Sequence, residues 1–177
     1  MSIEIIFETH SISVDNERGL ASGWNDCPLS DEGRRLAAET GERNRDVAAV
    51  YTSDLRRAVE TAEIAFGDTG VPIRRDGRLR ECNYGSLNGT SVPNLDRLRA
   101  KHVSEPFPGG ESYEQCVARL RAFLDDLPTE LDGERIVVIG HSATRWALEV
   151  LLNGRDLSEL VAERFEWQPG WRYTLER

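Results

Sequence analysis

The 177-residue sequence lacks any apolar run that approaches the roughly 20 residues a membrane-spanning helix needs. It also lacks a basic segment followed by a hydrophobic stretch near residue 1, so we expect no signal peptide. Acidic residues outnumber basic ones by 31 to 22, which gives a net charge of -9. Nucleic acid and anionic membranes both require a basic face, so neither is expected as a partner. A small anionic substrate stays compatible, since a local group of arginines can bind it.

Cysteine is scarce, and its spacing excludes two kinds of site. The three cysteines, Cys27, Cys82 and Cys116, are far apart and form no CxxC pair. Neither a zinc knuckle nor a redox dithiol is therefore indicated, and we predict no metal site and no cofactor. Free thiols are typical of a reducing compartment, so a cytoplasmic protein is expected.

The order of apolar segments predicts an α/β fold. Hydrophobic residues make up 39% of the chain and charged residues 30%, as in an ordinary globular domain, and we expect residues 1–177 to form one domain. Strand-like and helix-like segments alternate, which predicts a three-layer α/β/α arrangement around a mainly parallel sheet. Residues 88–110 are expected to form a short insertion over the active site. Phe165–Leu175 resembles a terminal hairpin whose aromatic side chains pack.

Two of the three histidines directly follow apolar runs. The first run, residues 3–7, leads through Glu8 and Thr9 to His10, and the second, residues 136–139, leads through Gly140 to His141. Such runs are typical of buried strands, and ligands of open parallel sheets bind beyond the carboxyl ends of the strands. A hydrogen-bonded histidine at a strand end is the ordinary explanation for either one alone. Two histidines in equivalent places favour a shared site.

An arginine and a carboxylate complete the candidate site. Arg56 and Arg57 lie in the first turn of a helix predicted after the strand at residues 46–52, and Glu81 lies in a glycine-containing loop. Two histidines, an arginine and a carboxyl group suit phosphoryl transfer through a histidine. A neutral imidazole can attack phosphorus, the phosphoryl oxygens need fixed positive donors, and the leaving oxygen needs a proton.

The motifs and their order resemble the histidine phosphatase superfamily, the phosphoglycerate mutase-like proteins. The resemblance covers nearly the whole chain and rests on six segments. These are Thr9-His10-Ser11 with Asn16; Pro28-Leu29-Ser30 with Gly33; Thr52–Ala62, close to SSDLxRAxxTA; Leu79, Glu81, Gly85 and Gly89; Gly109-Gly110-Glu111-Ser112; and Gly140-His141.

The resemblance implies a role for each matching residue. His10 would be the phosphorylated nucleophile, Arg57 would hold the phosphoryl group, and His141 would hydrogen-bond that group. Glu81 would protonate the leaving oxygen and then activate water. Asn16 would line the pocket. A small phosphorylated substrate is implied, while the oligomeric state stays open, with a homodimer among the options.

The sequence departs from the family pattern beside His10. Thr9 stands where the family has an arginine, and Ser11 stands where it has a glycine. Loss of a charge-assisted contact costs roughly 1.5–3 kcal/mol, or about tenfold to more than a hundredfold in rate. Arg18 or Arg145 is expected to supply the missing charge, and one of them to pair with Glu8, with Arg145 the better placed. Thr9 and Ser11 are expected to contact the substrate.

Three functions remain open from the sequence. The retained Glu81 favours a phosphatase that works through phosphohistidine, and the short insertion disfavours a mutase. Thr9 and Ser11 leave room for a member with altered chemistry in a specialised pathway. They also leave room for a degenerate module that binds a phosphorylated ligand or a protein without turnover.

Overall fold

The computed structural model describes all 177 residues, 1–177, as seven strands and seven α-helices. The strands are β1 (Ser2–Thr9), β2 (Leu20–Ala21), β3 (Ala49–Thr52), β4 (Ile73–Arg75), β5 (Thr90–Ser91), β6 (Arg135–Gly140) and β7 (Trp171–Glu176). The helices are α1 (Val14–Glu17), α2 (Asp31–Arg43), α3 (Arg56–Phe66), α4 (Val92–Asp96), α5 (Tyr113–Asp125), α6 (Ser142–Asn153) and α7 (Leu157–Ala162). Short 3-10 turns lie at Gly77–Leu79, Gly85–Leu87, Arg99–His102 and Thr129–Leu131.

Five strands form the central sheet, in the order β4-β3-β6-β1-β7. The first four run parallel and β7 runs antiparallel to β1, so the predicted mainly parallel sheet is confirmed. The predicted terminal hairpin is wrong. Residues 165–170 form no strand, and β7 pairs instead with β1, from Phe7 opposite Trp171 to Ser2 opposite Glu176. Without β7, β1 would be an unpaired edge, and an edge strand leaves its backbone groups without partners.

The apolar runs of β1 and β6 are buried because helices cover both faces of the sheet. One core cluster joins the sheet to α5 and α6 through Phe123 and Leu148, and another joins it to α3 through Ala62 and Phe66. Helix α2 packs closely on α3, since a Cβ at Gly41 would lie 2.0 Å from a backbone carbonyl of α3. No helix combines the length and the apolar character that a membrane span demands.

Helix caps fix where several loops end. Ser30 and Ser112 accept the amide hydrogens of Gly33 and Gln115, the third residues of the helices that they cap. Helix α3 begins differently, because its N-cap is Leu55 and no side chain caps it. The hydroxyl of Ser53, two residues before this cap, contacts the side chain of His141 instead.

The insertion is tied to the loop that follows α1. Strand β5 pairs antiparallel with β2, with Ala21 opposite Thr90 and Leu20 opposite Ser91. The rest of the insertion contains α4 and the 3-10 turn at Arg99–His102. These elements lie beside the carboxyl ends of the central strands, since Val92 and Arg99 contribute to the cavity found there.

Candidate active site

Three adjacent strands end at the same edge of the sheet, and each delivers a polar residue there. The backbone amide of His10 donates to Gly140 O at 3.0 Å, and the amide of Ser53 donates to Ile139 O at 3.1 Å. The backbone hydrogen bonds between neighbouring strands therefore continue past the last residues of β1 and β3. These backbone bonds alone fix the positions of His10, Ser53 and His141 relative to one another.

A cavity of about 660 Å³ opens at this edge. Its lining includes all four residues predicted to be catalytic: His10, Arg57, Glu81 and His141. The predicted substrate contacts Thr9, Ser11 and Asn16 also line it. Ligand pockets commonly occupy 300–1,000 Å³, so the space is larger than a phosphate group alone requires.

His10 is held as a neutral imidazole with a defined tautomer. Its Nδ1 lies 2.6 Å from Ser11 O, and because a carbonyl oxygen can only accept, Nδ1 carries the proton. The lone pair is then on Nε2. Burial lowers the pKa of His10 to about 3, and the positive charge of Arg57 acts in the same direction. A neutral ring with a free Nε2 is the nucleophilic form of histidine.

His141 faces His10, with 5.1 Å between the ring centroids. Its Nε2 lies 2.9 Å from Ser53 Oγ, which itself accepts the Leu55 amide hydrogen at 3.1 Å. With Ser53 donating to Nε2, the ring proton is on Nδ1, a buried atom that has no partner within the chain. Burial, Arg57 and His10 hold the pKa of His141 well below its usual range. An anion at this point would satisfy the unpaired N–H.

Arg57 supplies a fixed positive charge. Its guanidinium donates to Gly23 O at 2.8 Å and to Asn25 O at 3.1 Å, and the residue is only 3% exposed. No carboxylate lies within salt-bridge distance of it. Buried cations are usually paired, so an unpaired one beside a cavity favours an anionic ligand.

The Glu81 carboxyl group is held by one oxygen and open at the other. Oε1 accepts the amide hydrogens of Cys82 at 2.8 Å and Ala143 at 3.2 Å. Oε2 makes no hydrogen bond within the chain, and the residue is 9% exposed. The Glu81 backbone oxygen accepts from Trp24 Nε1 and from Arg119. The loop is therefore anchored from two sides, which holds Oε2 in place at the cavity.

The hydroxyl of Ser11 and the side-chain oxygen of Asn16 already have partners in the chain. Ser11 Oγ donates to Gly33 O at 2.7 Å, and Asn16 Oδ1 accepts the Ser13 amide hydrogen at 2.9 Å. The first contact brings the loop after β1 close to the start of α2. A Cβ at Gly33 would lie 1.8 Å from Ile12 O, so only glycine allows this approach.

Two arginines predicted to contact the substrate do not line the cavity. Arg18 is exposed at the end of α1, and Arg145 places its guanidinium 5.4 Å from the Trp171 ring. The predicted pairing of Glu8 with either of them is wrong. Glu8 accepts two hydrogen bonds from Arg43, at 2.9 and 2.8 Å, because the C-terminal end of α2 lies beside the end of β1.

Several lining residues belong to none of the sequence motifs. Arg99, from the insertion, reaches the cavity but is bonded to Asp96 and to the Tyr113 hydroxyl, both at 2.8 Å. Phe165 and Trp167 also line the cavity and are 50% and 60% exposed, so the expectation that they pack inside is wrong. No spacing in the sequence marks these three residues, because each comes from an irregular segment.

Known proteins with similar sequences fall in one superfamily. The profile described as histidine phosphatase superfamily (branch 1) matches residues 5–173. A 2,3-bisphosphoglycerate-dependent phosphoglycerate mutase of Nitrobacter winogradskyi is 31% identical over 178 residues, covering 89% of this chain and 84% of the relative. The protein of the same name from Azorhizobium caulinodans is 33% identical, covering 84% and 80%.

Solved structures show the same architecture. Bacillus stearothermophilus YhfR superposes with a TM-score of 0.82 at 25% identity, covering 98% of this chain and 91% of its own. A mycobacterial glucosyl-3-phosphoglycerate phosphatase in complex with VO3 gives a TM-score of 0.75 at 28% identity, covering 91% and 86%. The similar proteins thus include both mutases and phosphatases.

Proposed function

Because the chain belongs to the histidine phosphatase superfamily, we propose that it hydrolyses a small-molecule phosphate monoester through a phosphohistidine on His10. The observation that carries this proposal is the convergence of four side chains on one cavity. These are a neutral imidazole, an unpaired buried arginine, a second imidazole with an unpaired Nδ1, and a carboxyl group with one open oxygen: His10, Arg57, His141 and Glu81.

In the first half-reaction, the lone pair on His10 Nε2 attacks phosphorus and the bond from phosphorus to the alcohol oxygen breaks. Glu81 donates its proton to the leaving oxygen, so the alcohol departs neutral. Arg57 and the Nδ1–H of His141 donate to the phosphoryl oxygens, whose charge they stabilise without reorganisation because both are fixed.

In the second half-reaction, the Glu81 carboxylate takes a proton from water as the water oxygen attacks the phosphohistidine. The bond between nitrogen and phosphorus breaks, its electron pair returns to His10 Nε2, and inorganic phosphate leaves. The same carboxyl group thus serves as acid and then as base. At the end of the cycle Glu81 carries its proton again and His10 is again a neutral imidazole.

The experiment is hydrolysis of an aryl phosphate together with trapping of acid-labile phosphate on the protein. We expect wild type to turn over and to carry labelled phosphate, and His10→Ala to do neither. His102→Gln is a matched histidine control, because His102 lies outside the cavity, with its Nδ1 2.8 Å from Glu105 O. Turnover that survives in His10→Ala would rule out the proposed nucleophile.

A second candidate function is binding of a phosphorylated ligand without turnover. It is favoured by Thr9, which occupies the place of the family's arginine, so that Arg57 is the one unpaired arginine at the cavity. Phosphate binding that depends on Arg57, with neither turnover nor phosphoenzyme across a panel of esters, would favour this candidate over the phosphatase.

A further inference from the structure

The exposed apolar side chains of the protein are concentrated at one place. Five large hydrophobic residues are exposed, and four of them line the cavity that contains His10: Ile12, Val92, Phe165 and Trp167. Single exposed hydrophobic residues are ordinary, whereas a group of them around a cavity marks a binding surface. We call these four residues the apolar rim.

The rim is assembled from three separate parts of the chain. Ile12 follows β1, Val92 begins the short helix of the insertion, and Phe165 and Trp167 precede β7. Trp167 is held from one side, because the Arg43 guanidinium lies 5.8 Å from the centre of its ring and is itself fixed by Glu8. The rim therefore lines the same cavity as His10, and the Glu8–Arg43 pair braces one part of it.

The charges around the cavity argue against a second anionic group on the substrate. Three arginines line it, but Arg43 is paired with Glu8 and Arg99 with Asp96. Arg57 alone lacks a carboxylate partner, and the phosphoryl group requires it. Glu39, which also lines the cavity, is paired with Arg35 at 3.7 Å, so it contributes no cation either. A carboxylate or a second phosphate on the alcohol would find no unpaired cation.

We infer that the substrate is a phosphate monoester whose alcohol carries a large uncharged apolar group, and that the rim binds this group. The inference rests on the proposed function, because it places the phosphoryl group against His10 and Arg57. The apolar group is then buried in contact with the four rim residues, Phe165, Trp167, Ile12 and Val92. Burial of apolar surface strengthens binding by about fourfold for each methylene group removed from water.

The test compares two non-hydrolysable probes with the same head group, ethylphosphonate and octylphosphonate, by calorimetry on the full chain. We expect octylphosphonate to bind wild type at least about tenfold more tightly, which needs only a few buried methylene groups. In Trp167→Ala and in Phe165→Ala the octyl-to-ethyl affinity ratio should fall at least threefold, and Trp167→Phe should retain most of it. Equal affinity for both probes, or an unchanged ratio in both alanine variants, overturns the inference.

An Arg57→Ala variant tests whether head group and chain bind together. Both probes should lose affinity in it, and octylphosphonate binding that persists undiminished would show a surface independent of the phosphoryl site, which contradicts the inference.

Turnover separates this inference from the proposed function. Octyl phosphate should exceed 3-phosphoglycerate in kcat/KM by at least tenfold. Turnover that depends on His10 but ignores the alcohol overturns this inference alone, whereas chain-length-dependent binding without turnover overturns the phosphatase alone.

Discussion

Ser53 Oγ lies 2.9 Å from His141 Nε2, and a hydroxyl that donates to this nitrogen keeps the ring proton on Nδ1. Ser53→Ala removes the donor to Nε2, so the ring is free to take the other tautomer and to turn its lone pair toward the phosphoryl oxygens. We expect kcat to fall about tenfold to a hundredfold, since one hydrogen bond and a preferred tautomer are lost. Steady-state kinetics with a thermal melt checks this.

A loss of activity in Ser53→Ala that merely follows unfolding would not support the tautomer argument. The melting temperature of the variant must therefore stay close to that of wild type. A kcat within twofold of wild type, in a folded variant, would show that Ser53 does not position His141.

Arg57 and Arg56 are neighbours with opposite environments, which makes them a matched pair. Arg57 is buried and unpaired beside the cavity, whereas Arg56 is exposed and bonded to Glu60 at 2.8 Å. Arg57→Lys should lower kcat/KM by at least about a hundredfold, because a lysine cannot reproduce the fork that Gly23 O and Asn25 O hold. Arg56→Lys should stay within about twofold, because lysine keeps the positive charge beside Glu60 and Arg56 does not line the cavity. Steady-state kinetics on the two variants gives the comparison. Equal losses of kcat/KM would contradict the role of Arg57 in holding the phosphoryl group.

The sequence predicted the strand-end residues well, because the end of a strand can be found from the few residues around it. Each apolar run ends where the strand ends, so His10 and His141 could be placed at one edge from the pattern alone. The partner of Glu8 could not be found in this way. Arg43 is 35 residues away along the chain, and their contact depends on how α2 packs beside β1. The exposure of Trp167 was equally hidden, because an irregular segment has no period from which burial can be derived.

Thr9 stands beside the nucleophile, and replacing it with arginine tests what the family's charge contributes here. We expect Thr9→Arg to raise kcat/KM for a small phosphate ester about tenfold to a hundredfold, the rate equivalent of one charge-assisted hydrogen bond. Thr9→Met is the control, since it adds length without charge. Kinetics that respond equally to both substitutions would show that steric change, and not charge, governs this position.

His10 titrates far below the usual range for histidine, with a pKa of about 3, because burial and Arg57 disfavour its protonated form. The ring is therefore neutral from neutral pH down to about pH 4, and acid loss of activity in that range must have another origin. Between about pH 6.5 and pH 3 the unfolded chain binds more protons than the folded one at this residue. The free energy of unfolding therefore decreases as the pH falls.

Two measurements check the behaviour of His10. Nitrogen chemical shifts of the imidazole should show a neutral ring at pH 5 in the free protein. In His10→Gln, the free energy of unfolding should depend less steeply on pH between 6.5 and 4 than in wild type. An imidazolium at pH 6, or an unchanged slope, would contradict the assignment.

Glu8 is 1% exposed at the end of β1, and three hydrogen bonds hold its carboxylate: two from Arg43 and one from Asn44 at 2.7 Å. Arg43→Ala leaves this carboxylate buried without its cation. We expect a loss of about 2–4 kcal/mol in the free energy of unfolding, toward the lower end because the Arg43 side chain is 27% exposed. Arg35→Ala, on the same helix, is the control. Its partners Glu32 and Glu39 are exposed, so the expected change is below about 1 kcal/mol. Chemical denaturation measures the free energy of unfolding of both variants.

A double variant tests the cause of the loss. Glu8→Gln in the Arg43→Ala background should recover part of the lost stability, because it removes the unpaired charge. A double variant no more stable than Arg43→Ala alone would mean that lost packing, and not the buried charge, causes the destabilisation.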